Sequence, residues 1–235
     1  MIIPLGDDVK RTWVNFQFAT AFMLAACIVV WGRQINLPPE AFEQAFYSFG
    51  LVPAVFFGLK PLSPELAIIP SFLTIFTSMF MHASWSHIFG NMLFLWVFGS
   101  SLEIACGHVR FVIFYLLCGV GAGLGQSLVD PSGTVPMIGA SGAISGVMAA
   151  YMLVYPYNKV KLLIFIFKVR VPALALIGFW IFYQMYEMFS AAAAPVSQAG
   201  GVAWTAHVGG FATGMVLIFF LRRPGVKMMQ EPALR

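Results

Sequence analysis

Charged residues are scarce in this sequence. Asp, Glu, Lys and Arg make up only 9% of its 235 residues, whereas they account for about 25% of an ordinary soluble domain. A chain with so few charges cannot cover a water-exposed surface with polar groups, which excludes an ordinary soluble protein. Apolar residues make up 60% of the chain, and no long polar block interrupts them. We therefore expect an integral membrane protein with one membrane domain.

Cysteine is scarce too. Cys27, Cys106 and Cys118 are odd in number and lie in or beside apolar segments, which argues against a disulfide framework and favours buried thiols. Residues 24–27 read Leu-Ala-Ala-Cys and resemble a lipoprotein cleavage box. The apolar run continues to Trp31, as in a spanning helix rather than a cleaved signal. Lipidation of Cys27 stays an open alternative.

Six apolar stretches are candidates for spanning helices. A helix needs about 20 mostly apolar residues to cross a bilayer, and breaks formed by Pro, Gly or charged residues separate the stretches. The pattern predicts spans at residues 12–31, 86–105, 110–128, 141–156, 172–190 and 204–221. A shorter apolar run at 66–81 contains Pro70 and is a weaker candidate.

The distribution of Lys and Arg predicts the orientation, because these residues prefer cytoplasmic loops. With six spans and both termini inside, eleven of the 13 Lys and Arg residues lie on the cytoplasmic side, and only Arg33 and Lys60 lie outside. A seventh span at 66–81 would put the two termini on opposite sides. We therefore interpret this run as part of an external loop at the membrane surface. The net charge of +4 follows from topology, so we expect no nucleic acid partner.

These boundaries divide the chain into three parts. We predict a cytoplasmic N-terminal tail at residues 1–11, a membrane domain at 12–221 with a long external first loop at about 34–85, and a basic cytoplasmic C-terminal tail at 222–235. The predicted fold class is all-α, a polytopic membrane protein with six transmembrane helices. Residues 159–170 alternate basic and apolar side chains, and we interpret them as a segment at the inner membrane interface.

Several polar residues fall at one depth near the outer ends of three predicted spans. His82 and His87 lie at the outer end of the second span, and Asn91 lies one turn deeper on the face of His87. Ser141 opens the fourth span, and His207 lies in the first turn of the sixth. Each has a structural interpretation alone, such as a serine bonded to its own helix backbone. Together they favour a functional site, because polar groups within a membrane are costly and usually functional.

Glycines accompany two of these polar residues. Gly142 and Gly146 follow Ser141 at helical spacing, and Gly210 and Gly214 follow His207. Such pairs of small residues let helix backbones approach closely. We therefore predict that the fourth and sixth spans pack together and bring the serine to the histidine.

The pairing of Ser141 with His207 predicts nucleophilic catalysis. A serine hydroxyl is a poor nucleophile until a base takes its proton, and His207 is the candidate base. The nearest acid in the outer half is Glu187, so we predict a Ser-His dyad rather than a triad. His87 and Asn91, with the backbone N–H of Ser141, are candidate donors to an oxyanion. The metalloprotease motif His-Glu-x-x-His is absent, and we expect no metal and no cofactor.

Three segments of the chain resemble the signature segments of the rhomboid intramembrane serine proteases. They are HIFGN at 87–91, GASG at 139–142 and AHVGGFATG at 206–214. The segment 99–119, GSSLEIACGHVRFVIFYLLCG, is similar to the second and third helices of bacterial members. The resemblance covers roughly residues 10–221. It implies a compact six-helix bundle of the bacterial type.

The resemblance also implies roles for the site residues. Ser141 would be the nucleophile and His207 its base, while His87, Asn91 and Gly139 would form the oxyanion and substrate-binding site. His82 would line a water-filled cavity that supplies hydrolysis. Some bacterial members carry a tyrosine four residues after the nucleophile, and others a Trp-Arg pair in the first loop. This sequence has Ser145 at the first position and LTIFTSMFM at 73–81 before His82.

The expected substrates are transmembrane segments of other proteins, cut towards the outer face of a bacterial-type cell membrane. The main alternative is a rhomboid-like protein that binds such segments without cutting them. A channel or transporter with a polar cluster is a third interpretation, but it predicts half-helices or internal repeats, and the sequence has neither. The natural substrate and the oligomeric state are left open by the sequence.

Overall fold

The computed structural model describes residues 2–10, 14–193 and 203–231. Residues 12 and 13 of the predicted first span, and residues 1, 11 and 232–235 of the predicted tails, lie outside this description. The described helices, in chain order, are α1 (Phe18–Gln34), α2 (Pro39–Phe49), α3 (Pro53–Phe56), α4 (Thr74–Thr77), α5 (Trp85–Phe94), α6 (Ser100–Cys106), α7 (His108–Val129), α8 (Ser141–Val154), α9 (Ala173–Ala193) and α10 (Trp204–Leu221). Helix α5 continues into α6 through a π-helical turn, Leu95–Gly99.

The helical membrane fold predicted from the sequence is confirmed, and each predicted span overlaps a helix. Among the described residues, three continuous helices have the length and apolar composition to cross a membrane: Trp85–Cys106, His108–Val129 and Trp204–Leu221. Shorter apolar helices are Phe18–Gln34, Ser71–Phe80 and Ser141–Val154. The run at 66–81 thus forms a ten-residue helical segment, which begins directly after Pro70.

A small antiparallel sheet departs from the all-helical prediction. Strands β1 (Ile2–Gly6), β2 (Lys159–Ile164) and β3 (Phe167–Pro172) pair in the order β1-β2-β3. Its physical basis is the alternation noted at 159–170, because successive strand residues point to opposite faces. Val160 and Leu162 are buried, whereas Lys159 and Lys161 between them are exposed. We call this side of the bundle the sheet end, and the side where α8 begins the site end.

Helix α8 occupies the centre of the bundle between α7 and α10. Every residue from Gly142 to Tyr151 is buried, and this explains its many small side chains. A Cβ atom at Gly210 of α10 would overlap the carbonyl oxygen of Gly142, and one at Gly214 would overlap that of Gly146. The two backbones are therefore in direct contact at the four glycines singled out in the sequence.

The buried acid Glu103 joins three helices at the sheet end. Its carboxylate accepts hydrogen bonds from the backbone N–H groups of Ala19 at 3.0 Å and Thr20 at 2.7 Å, in the first turn of α1. The Thr20 hydroxyl donates at 2.6 Å, and the ring of His108 pairs with the same carboxylate. A carboxylate at a helix N-terminus satisfies free N–H groups and complements the helix dipole. Glu103 thus caps α1 from another helix, since Gln17 makes no side-chain cap.

Candidate active site

Ser141 and His207 meet at the site end. Ser141 is the first residue of α8, and His207 lies in the first turn of α10. The Ser141 Oγ and His207 Nε2 atoms are 2.8 Å apart, a hydrogen-bond distance between residues separated by 66 positions in the sequence. The glycine contact lies directly beside this pair, because Gly142 and Gly210 each come within one turn of the polar residue on their helix. Close backbone packing thus sets the distance between hydroxyl and imidazole.

Gln184 of α9 makes the second hydrogen bond of the imidazole. The His207 Nδ1 and Gln184 Oε1 atoms lie 2.6 Å apart, and the glutamine side chain is buried. Because an amide oxygen only accepts hydrogen bonds, this contact places the proton on Nδ1 and leaves the Nε2 lone pair for the Ser141 hydroxyl. Sequence reasoning did not include Gln184. The available signal was a polar amide within the apolar run ALALIGFWIFYQMYEMF at 173–189.

Two tryptophans pack around the imidazole ring. The ring of Trp180 on α9 lies 5.9 Å from that of His207 with an interplanar angle of 40°, and the ring of Trp204 lies 6.1 Å away at 82°. Ser145, which stands where some bacterial rhomboids have a tyrosine, donates to the carbonyl of Ser141 at 2.7 Å. Ser145 therefore stays on its own helix backbone, and the described aromatic contacts to His207 come from Trp180 on α9 and from Trp204 on the helix of His207 itself.

His87 and Asn91 of α5 both face the backbone of Gly139. A Cβ atom at Gly139 would lie 2.6 Å from His87 Nε2 and 3.6 Å from Asn91 Nδ2. Gly139 also has a φ of +116°, a conformation that side-chain-bearing residues rarely adopt. Glycine is therefore required at this position both by the backbone conformation and by the contact with His87. Because Gly139 has no side chain, His87 Nε2 and Asn91 Nδ2 face its backbone directly, two residues before Ser141.

His87 and Asn91 each have a side-chain N–H donor that is not used by a described neighbour. The backbone N–H of Ala83 approaches His87 Nδ1 at 3.4 Å, and this contact favours the neutral ring with its proton on Nε2. Asn91 Nδ2 is buried and has no hydrogen-bond partner among the described residues. The N–H of Ser141 is in addition one of the free donors at the start of α8. That these three donors serve one oxyanion stays a prediction.

His82 is completely buried beside His87. The two rings are 5.0 Å apart. The side chain of Gln34 on α1 makes two hydrogen bonds with the backbone of His82. Its Oε1 accepts from the His82 N–H at 3.2 Å, and its Nε2 donates to the His82 carbonyl at 3.1 Å. Two cavities lie elsewhere: one of about 340 Å³ in the first loop beside Ser48 and Thr74, and one of about 260 Å³ at the sheet end. The role of His82 in a water cavity stays a prediction.

Acidic groups take no part in the described hydrogen bonds of His207. Both ring nitrogens are engaged by Gln184 and Ser141, which leaves no position for Glu187. Within the described ranges, no three His, Cys, Asp or Glu side chains lie close enough together to hold a metal ion. The arrangement therefore brings together a serine hydroxyl, an imidazole and hydrogen-bond donors, which are the groups that a serine acyl-transfer site requires.

Comparison with known proteins identifies relatives. Rhomboid-like protein 11, chloroplastic, of Arabidopsis thaliana is 30% identical over 172 residues, which cover 69% of this chain and 57% of that protein. Rhomboid protein 1, mitochondrial, of Saccharomyces cerevisiae is 28% identical over 167 residues, which cover 69% of this chain and 46% of that protein. The matched region thus spans about half the length of these curated relatives. The bacterial type stays a prediction.

The protein-family comparison covers the part of the chain that contains the site. The Rhomboid domain family model matches residues 70–224. This range includes α5 with His87 and Asn91, the start of α8 with Ser141, and α10 with His207. It covers well over half of the chain, and the apolar helices agree with it. The chain is therefore a multi-pass membrane protein that belongs to the rhomboid family.

Proposed function

We propose that this protein is an intramembrane serine endopeptidase. It hydrolyses a peptide bond in or near a transmembrane segment of another membrane protein, with Ser141 as nucleophile and His207 as base. The observation that carries the proposal is the distance of 2.8 Å between Ser141 Oγ and His207 Nε2. Family membership supports it, and so does the helix N-terminus on which the serine lies.

The reaction follows from the positions of the donors and acceptors. His207 Nε2 takes the hydroxyl proton as Ser141 Oγ attacks the substrate carbonyl carbon, and the carbonyl oxygen becomes an oxyanion. The N–H of Ser141, His87 Nε2–H and Asn91 Nδ2–H donate hydrogen bonds to that oxyanion. The C–N bond then breaks, and His207 returns its proton to the leaving amine. Water, deprotonated by His207, attacks the resulting ester and releases the acid and the free serine.

Gln184 orients the base in this mechanism. Its amide oxygen accepts the Nδ1–H of His207 at 2.6 Å and keeps the Nε2 lone pair directed at the serine in each step. When the imidazole is protonated, the same oxygen accepts a hydrogen bond from the cation. We expect a neutral amide to stabilise that cation less than the carboxylate of a Ser-His-Asp triad does.

The distribution of basic residues supports a site that faces outward. The sheet carries Lys159, Lys161, Lys168 and Arg170, and these cations lie far from the serine along α8. Positive residues favour the cytoplasmic side, so the sheet end and both termini are cytoplasmic in the proposed topology. The site end then opens towards the outer face of the cell membrane, where the natural substrates are membrane proteins with a transmembrane segment.

Reporter cleavage tests the proposal. The purified protein in liposomes is given a reporter with one transmembrane segment, and wild type is compared with Ser141→Ala and His207→Ala. We expect cleavage by wild type and loss of cleavage in both variants. Ser145→Ala is the matched control, because this serine lies one turn further on α8 and its described hydrogen bond is to its own helix backbone. Its activity should stay near that of wild type.

Two outcomes would contradict the proposal. Cleavage by Ser141→Ala would exclude this serine as the nucleophile. Wild-type protein that binds the reporter but cuts no segment would instead favour the alternative of a rhomboid-like binder. Copurification of the reporter with the wild-type protein and with Ser141→Ala provides the binding measurement.

A further inference from the structure

The β2–β3 hairpin ends in an exposed apolar turn. Ile164 pairs with Phe167, so Phe165 and Ile166 form a two-residue turn, and their side chains are 79% and 83% exposed. Phe167 is exposed as well, at 67%. Phe165 has a φ of +53°, where glycine or asparagine is usual and a bulky residue is an outlier. The sequence thus keeps large apolar side chains where a water-facing hairpin would favour small polar ones.

One face of the same hairpin carries four cations. The register places Lys161 opposite Arg170 and Lys168 opposite Leu163. Residues directly opposite each other share a face, and every second residue returns to it. Lys159, Lys161, Lys168 and Arg170 therefore all lie on one face, while Val160 and Leu162 on the other face pack into the core. We call this set of four residues the cationic face.

Within the described part of the chain, none of the four cations of this face forms a salt bridge. Like charges directly opposite in a sheet are destabilising, and the described salt bridge is that of His108 with Glu103. Asp8 accepts from the Lys159 backbone N–H and the Asn158 side chain. Asp7 lines a cavity together with Lys161, and its described side-chain partner there is the Ser101 hydroxyl, which donates to it at 2.6 Å. An external anion would therefore relieve the repulsion between Lys161 and Arg170.

We infer that this hairpin binds the anionic phospholipid surface of the bilayer that holds the bundle. The cationic face contacts headgroup phosphates, and the turn at Phe165 and Ile166 reaches the boundary of the acyl chains. Cationic residues next to exposed apolar ones are typical of segments that lie in a membrane interface.

The connections of the hairpin favour lipid over a protein partner. Four residues separate α8 from β2, and α9 follows β3 directly. A six-residue strand is about 20 Å long, so a hairpin held at both ends by bundle helices stays within that distance of the bundle's end. Anionic lipid lies within that reach at all times. The inference does not depend on catalysis by Ser141.

A fluorescent label at the turn tests the inference. The three native cysteines are buried, so Ile166→Cys provides an accessible thiol for an environment-sensitive dye in the full-length protein. The labelled protein is reconstituted in nanodiscs with phosphatidylcholine or phosphatidylglycerol brominated near the headgroup. We expect quenching by both lipids and stronger quenching by the anionic one. The preference should fall by about fivefold for each of Lys161→Gln and Arg170→Gln, since a basic residue near an anionic surface contributes about a factor of five.

Matched variants separate lipid binding from misfolding. Lys60→Gln removes an exposed cation of the first loop and should leave the preference unchanged, and a dye at Ser132→Cys should show no preference. Phe165→Gly suits the left-handed φ, so it should preserve the fold while reducing the quenching at residue 166. Equal quenching by the two lipids, or a preference that survives loss of both cations, would overturn the inference. A blue shift of the dye emission that occurs only after another protein is added would also overturn the inference.

Discussion

Two buried polar side chains at opposite ends of the bundle, Glu103 and Asn91, differ in how their hydrogen bonds are satisfied. At the sheet end, the carboxylate of Glu103 is saturated by two backbone N–H groups, a hydroxyl and a histidine ring. At the site end, Asn91 Nδ2 is buried without a hydrogen-bond partner among the described residues. Leaving such a donor unpaired costs about 1–3 kcal/mol. The bonds of Glu103 hold α1, α6 and α7 together, whereas the unpaired donor of Asn91 fits its proposed role as a donor to the oxyanion.

Replacement of Asn91 tests the open donor and has the largest expected effect. Asn91→Ala should lower kcat by about 10²- to 10³-fold, because one oxyanion donor contributes that much in acyl transfer. The free energy of unfolding should fall by much less than the activation free energy rises, since no described hydrogen bond of the Asn91 side chain is lost. Thermal unfolding provides this measurement. Asn36→Ala, at an exposed asparagine, is the control and should keep its activity. A folded Asn91→Ala variant with wild-type kcat would contradict the comparison.

Replacement of Glu103 tests the saturated group. Glu103→Gln should lower the free energy of unfolding by about 2–3 kcal/mol, since it weakens charge-assisted bonds to the first turn of α1. Activity per folded molecule should stay near wild type, because the site lies at the other end of the bundle. Thermal unfolding in detergent and reporter cleavage at low temperature give the two values. Exposed Glu43→Gln is the control, and a loss of activity without a loss of stability would show that the two ends are coupled.

Gln184 shares one feature with each of these two groups. It lies at the site end like Asn91, but its amide oxygen already has a hydrogen-bond partner, His207 Nδ1. Gln184→Leu should lower kcat about tenfold to a hundredfold with little change in KM, since it leaves Nδ1–H of His207 unpaired. Gln184→Glu keeps an acceptor at the same distance and should restore most of the rate. A structural role in packing α9 would instead predict that Leu, which is apolar and of similar size, retains more activity than Glu. Single-turnover cleavage of the reporter distinguishes these results.

Asp7 should give the smallest effect. Burial raises the pKa of this carboxyl above its ordinary value of 3.8, although Ser101 donates to it. The carboxyl therefore binds its proton more tightly in the folded state than in the unfolded state. The free energy of unfolding should decline as pH rises from about 3.8, the ordinary pKa, through the raised pKa of the folded state. Asp7→Asn should remove this slope while it keeps an acceptor for Ser101. Thermal midpoints of both proteins across acidic pH provide the measurement, and an unchanged slope in the variant would exclude Asp7 as its source.

Helical periodicity and glycine spacing are the two sequence features that predicted most of the candidate site. Ser141 and His207 were predicted as a pair because both stand beside glycines that allow close backbone contact, and the structure brings their side chains within a hydrogen bond. His87 and Asn91 share a helix face by spacing alone. The reason that Gly139 faces them was not visible, since it depends on a positive φ and on a neighbouring helix.

Contacts between distant segments explain what sequence reasoning missed. The contact of Gln184 with His207 depends on the rotation of α9, which an apolar run with little amphipathicity does not reveal. The partners of Glu103 include backbone N–H groups about 84 residues away, and backbone groups leave no mark in a sequence. Strand β1 pairs with a strand more than 150 residues later, so the alternation at 159–170 gave the only local sign of the sheet.

The length of α8 has a consequence for where a substrate is cut. This helix contains 14 residues and is about 21 Å long at a rise of 1.5 Å per residue, whereas the hydrocarbon core of a bilayer is about 30 Å thick. With the Val154 end at one membrane surface, Ser141 lies about 9 Å below the opposite surface. Under the proposed function, a substrate helix that enters beside α8 would be cut roughly six residues, nearly two turns, inside the membrane boundary.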